Sequence, residues 1–70
     1  MTNARDDLLT VLRGLSEETP DLRFGQLIAN LATLAKGATA EAVWDAEDEE
    51  MLDAARRLLE HYRARTVNVA

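Results

Sequence analysis

The chain has no cysteine, one proline, three glycines and three aromatic side chains, Phe24, Trp44 and Tyr62, in 70 residues. Without cysteine, no disulfide can offset the entropy of ordering so short a chain, and no thiolate zinc site can form. The same lack fits a reducing compartment, and a cytoplasmic location is expected. No apolar run approaches the roughly 20 residues needed to span a bilayer. The longest, Leu27 to Ala35, is interrupted by Asn30 and Thr33, so no membrane association is expected. The opening MTNARDD has no basic segment followed by an apolar block, and a secretory signal is not expected either.

Further absences bear on chemistry. Gly14, Gly25 and Gly37 are isolated and lack the spacing of a phosphate-binding loop. Ser16 is the only serine and His61 the only histidine. They form no recognisable nucleophile–base motif, and His61 reads as a surface residue. No catalytic residue, cofactor or small-molecule substrate is suggested, and enzymatic activity is not expected.

What is present favours helix. Leucine, alanine, glutamate and arginine dominate, β-branched residues are few, and hydrophobic residues make up 47% of the chain. One small all-α domain over 1–70 is expected, as a compact three-helix bundle with a short extra helical turn before the third helix. Residues 1–2 and 66–70 are expected to fray, the latter for want of helical periodicity.

The first helix should begin after Thr2 or Asn3, the spacing of Asn3 to Asp6 resembling a capping box, and run to about Glu18. Ala4, Leu8, Val11, Leu12 and Leu15 form its apolar face, and Gly14 should weaken or end it. Pro20 disfavours helix at Thr19 and suits the first turn of a new helix, with Thr19 or Asp21 as cap. A link this short favours antiparallel neighbours. The second helix should run from Asp21 to Lys36, with Gly37 as its stop. Its apolar positions cover most of its circumference, as in a buried central helix, and Gly25 marks a place for close backbone approach. Thr39 can cap a turn over Ala40 to Val43. Trp44 should then be a buried anchor closing the bundle. Asp45 should cap the third helix, whose apolar face is Met51, Leu52, Ala55, Leu58, Leu59 and Tyr62.

Charge is unevenly placed. The formal net charge is -5, and residues 41–53 carry seven acids and no base. As a calcium loop beginning at Asp45, this segment has Glu50 where the glycine belongs and Arg56 where the closing glutamate belongs. No metal site is expected. The acids instead suit the positive end of a helix dipole, and Arg56, Arg57, Arg63 and Arg65 suit the negative end.

The second helix also carries a stripe of polar residues, Arg23, Gln26, Asn30 and Thr33. One reading is a structural seam in which Arg23 pairs with Asp45 or Asp48 while Gln26 and Asn30 bond the loop backbone, since a buried arginine requires a carboxylate. The other reading is a recognition edge for a protein partner.

The segment Pro20-Asp21-Leu22-Arg23-Phe24-Gly25-Gln26-Leu27-Ile28-Ala29-Asn30, followed by Trp44-Asp45-Ala46-Glu47-Asp48-Glu49, resembles a group of small bacterial proteins that share PDLRxGQLxxN and a later acidic D-x-E-D-x-E segment. The resemblance spans about residues 20–53. It implies a bacterial-type compact helical protein in which polar stripe and acidic cap form one device, and it implies no activity.

The functional expectation is therefore a non-enzymatic interaction module or accessory subunit, with a protein partner or self-association. Two alternatives stay open. A helix-turn-helix-like nucleic-acid regulator needs a basic recognition helix, whereas the second helix offers only Arg23 and Lys36. An acidic mimic of nucleic acid fits the charge alone. The acidic balance makes nucleic acid an unfavoured partner.

Overall fold

The periodic leucines and the caps divide the chain into three substantial helices and one short one. The computed structural model describes residues 3–68, with side chains through Arg65. The elements are α1 (Ala4–Glu18), α2 (Phe24–Lys36), α3 (Ala42–Asp45) and α4 (Asp48–Asn68). The all-helical fold is as expected, and a short helix precedes the last long one, but it covers Ala42–Asp45 with Glu41 as N-cap and includes Trp44, where Ala40 to Val43 capped by Thr39 was expected. Among the described residues no helix is long and apolar enough to cross a membrane.

The ends of α1 and α2 follow from local chemistry. Asn3 accepts a hydrogen bond from the Asp6 amide at 2.9 Å and caps α1. Gly14 does not break the helix. At the other end Thr19 is buried, and its hydroxyl donates to the Leu15 carbonyl at 2.7 Å. Pro20 occupies a turn closed by the Leu22 amide donating to the Thr19 carbonyl. Helix therefore resumes at Phe24 and not at Asp21. The N-cap is Arg23, not Thr19 or Asp21, with its amide donating to Gln26 Oε1 at 3.0 Å. A guanidinium has no acceptor, so this box is one-sided. Gly37, at φ 112°, terminates α2 in a conformation that suits glycine.

Asp45 closes α3 and does not cap the last helix. That cap falls two residues later, where the Glu47 amide donates to Glu50 Oε1 at 2.9 Å and the Met51 amide returns to the Glu47 carbonyl. Helix α4 continues through Asn68, past the end expected near residue 65. The expected fraying at residues 1–2 and 69–70 lies outside the described residues.

Ion pairs establish the directions of the helices. Arg5 pairs with Asp48 at 3.1 Å and Arg56 with Asp7 at 3.8 Å, so α1 and α4 run parallel. Lys36 pairs with Glu50 at 3.2 Å while Leu34, earlier on α2, shares a groove with Ala54, Leu58 and His61, later on α4, so α2 runs antiparallel to α4. The bundle is up–down–up.

Its central helix is α4, which packs against both α1 and α2, whereas α1 and α2 have no extensive contact with each other. This corrects the expectation that the second helix is central. At 21 residues α4 extends about 31 Å, enough to back both shorter helices. The second helix owes its apolar appearance partly to alanines such as Ala29, which are good helix formers on a surface. The core is Leu8, Leu15, Leu27, Leu31, Leu52, Ala54, Ala55 and Leu59. Alanines 54 and 55 let α4 approach its neighbours closely. The molecule is thin, with a shortest extent of 17 Å, so much apolar surface is left uncovered.

Candidate interaction surface

The polar stripe of α2 is not a buried seam. Arg23, Gln26, Asn30 and Thr33 are all exposed. The Thr33 hydroxyl donates to the Ala29 carbonyl one turn back, a local bond that needs no partner helix. Arg23 pairs with neither Asp45 nor Asp48. Helix direction is the reason. Because α2 is antiparallel to α4, the start of α2 lies at the far end of the bundle from the start of α4, roughly a helix length of about 20 Å away. Asp45 is exposed on α3, and Asp48 takes Arg5 instead.

The acidic segment still works as a structural clamp, with different cations. Asp48 and Glu50 stand in the first turn of α4, where carboxylates complement the dipole. Arg5 reaches Asp48 from the start of α1, and Lys36 reaches Glu50 from the end of α2. One helical turn therefore ties down both neighbours. The Glu50 carboxyl is held below its ordinary pKa, first by the Glu47 amide and then by the Lys36 ammonium. Arg5 and Lys36 had no sequence signal of their own. The up–down–up directions would have identified them. Among the described residues no three His, Cys, Asp or Glu side chains are grouped to hold a metal.

Trp44 is 87% exposed and is no core anchor. The buried residue of α3 is Ala42, two positions earlier. Ala42 faces inward, and on so short a helix Trp44 cannot share its direction. Val43 is exposed beside it.

Other large apolar side chains are also uncovered. Phe24 is 58% exposed and lines a groove between α1 and α2 with Leu9, Leu12, Arg13, Ser16 and Glu17. Leu34 is 53% exposed and lines a second groove, of about 290 Å³, with Ala54, Arg57, Leu58 and His61 between α2 and α4. Phe24 and Leu34 were expected in the core, because a helical pattern marks a residue as apolar without saying whether another helix reaches it. The His61 ring is exposed and stands edge-on to Tyr62 at 6.0 Å between centroids.

The close helix contact lies at Gly14 and not at Gly25. A Cβ on Gly14 would stand 3.3 Å from Leu59 Cδ2, whereas one on Gly25 would meet nothing within 4 Å.

Compared with known protein families, with curated proteins and with solved structures, the chain matches none.

Proposed function

We propose that this chain is a small helical protein–protein interaction module of bacterial type, acting in the cytoplasm as an accessory subunit and not as an enzyme. The observation that carries this reading is the exposure of Trp44. A tryptophan standing free of its own domain is a costly way to fill a surface, and tryptophan is among the residues most enriched at binding hot spots. Phe24, Leu34 and Val43 extend the same argument, since large uncovered apolar groups mark interaction surfaces. The stripe of Arg23, Gln26, Asn30 and Thr33 supplies polar groups suited to an interface rim.

A photo-crosslinking amino acid in place of Trp44 tests the reading. Discrete adducts to one or a few proteins are expected in cells expressing the variant. The same group in place of Glu60, exposed on α4, is the background control. Adducts no different from that control would overturn the proposal.

A further inference from the structure

We infer that the seam between α2 and α4 is a docking groove for an amphipathic helix of another protein, one whose leucine-type face is flanked by carboxylates. The inference rests on the interaction-module reading and names a partner chemistry for it.

The floor of the seam is apolar. Leu34 is contributed by α2, and Ala54 and Leu58 by α4. Ala54 is fully buried and keeps the floor low, whereas Leu34 stands half out of it. An apolar trough between two helices is the usual seat of a third, read by residues spaced one turn apart.

The rim carries nitrogen-bearing side chains in an otherwise acidic protein. Arg57 and His61 line the groove itself. Arg65 lies one turn beyond His61 on the same side of α4. On α2, Asn30 and Leu34 are four residues apart and so lie along one edge, and Arg23 caps the start of the helix. The antiparallel packing sets that edge alongside the Ala54–Arg65 side of α4. Two carboxylates qualify this charge: Asp53 pairs with Arg57 at 3.1 Å, and Glu50 pairs with Lys36 at the near end. Neither Arg23 nor Arg65 has an ion-pair partner among the described residues. The seam thus offers an apolar centre and unneutralised cations toward its far end.

Charge complementarity selects the occupant. A helix with leucines facing Leu34 and Leu58, and glutamates or aspartates to either side, meets both features. A nucleic-acid backbone would use the cations but gain nothing from the leucines, and it would approach a chain of net charge -5.

The probe is a synthetic helical peptide with leucines one turn apart and glutamates on both flanks, titrated into the isotope-labelled full chain. Amide shifts are expected around Leu34, Ala54, Leu58 and His61. Joint Arg57→Glu and Arg65→Glu substitution should weaken binding by about tenfold or more, as should replacing the peptide's glutamates with glutamine. Leu34→Glu should abolish it. These protein positions are exposed, so the variants should keep the helical circular dichroism of the parent. Equal binding of the glutamine peptide, shifts confined to other surfaces, or no binding at all would overturn the inference. So would tighter binding of a duplex oligonucleotide at the same residues, or concentration-dependent shifts there without peptide. Failure here with persistent adducts at position 44 would remove this groove while leaving the interaction-module reading in place.

Discussion

Gly14 of α1 lies against Leu59 of α4 so closely that a methyl group on Gly14 would stand 3.3 Å from Leu59 Cδ2 and 3.5 Å from the Arg63 guanidinium. Both facing groups are ends of flexible side chains and can move by a few tenths of an ångström. Gly14→Ala should therefore retain most of the helix-propensity gain and stabilise the protein by up to about 1 kcal/mol. Gly14→Ile adds bulk that cannot be absorbed and should destabilise it by about 1–3 kcal/mol. Urea unfolding of the two variants would show opposite signs. A destabilised alanine variant would mean that Leu59 cannot yield.

Trp44→Ala should change stability by less than about 0.5 kcal/mol, because the ring is almost wholly in water. The tryptophan fluorescence of the native protein should be that of a solvated indole and open to iodide quenching. A loss of stability near 3 kcal/mol would place the ring in a packed site.

Leu31 and Leu34 are both leucines of α2, three residues apart, with opposite environments: Leu31 is fully buried and Leu34 is 53% exposed. Leu31→Ala should cost about 2–5 kcal/mol, a large share of the stability of any small domain. Leu34→Ala should cost well under about 1 kcal/mol. Denaturant midpoints compare the two directly. Equal costs would mean that the seam is already filled.

Arg5 and Asp48 form an exposed pair, and a double-mutant cycle to alanine should give a coupling of about 0–1 kcal/mol. The corresponding cycle on Arg23 and Asp48 should give none, because antiparallel α2 starts at the other end of the bundle. Coupling in the second cycle would contradict the helix directions.

Glu50 makes stability depend on pH. Its folded pKa lies below the ordinary value of 4.5, through the Glu47 amide and Lys36. The unfolded chain therefore binds the proton more readily, and stability rises with pH wherever that difference exists. The contribution is complete above the ordinary value and is lost as pH falls through the lower folded pKa. Glu50→Gln should remove this part of the acid sensitivity in thermal melts taken from neutral pH downward. An unchanged pH profile would show that the carboxylate is not held by these partners.

Much of the fold was legible in the chain itself, since helix ends are local chemistry. Asn3 ahead of Asp6 marks the start of α1, and Gly37 marks the end of α2, because a cap depends on residues within one turn. Period-3.6 leucines marked Leu8, Leu15, Leu52 and Leu59 for the core, since each repeats on one side of its helix, whereas the nearly all-round apolar pattern of α2 did not single out Leu27 and Leu31. The cap expected at Asp45 falls instead at Glu47, because Asp45 is taken up in α3, which packs on α2.

The candidate surface was legible only as a list of residue types. Arg23, Gln26 and Asn30 stood out as polar positions on an apolar helix, and Asp48 as one acid among several. Whether they met depended on helix direction, and no residue in the chain encodes that alone. Sequence periodicity determined which side of α1 and of α4 is apolar. Only the tertiary structure decided which apolar side found a partner, because burial is a property of pairs of helices. The small residues of α4, Ala54 and Ala55, let one long helix serve two shorter ones. That left Trp44, Phe24 and Leu34 without cover.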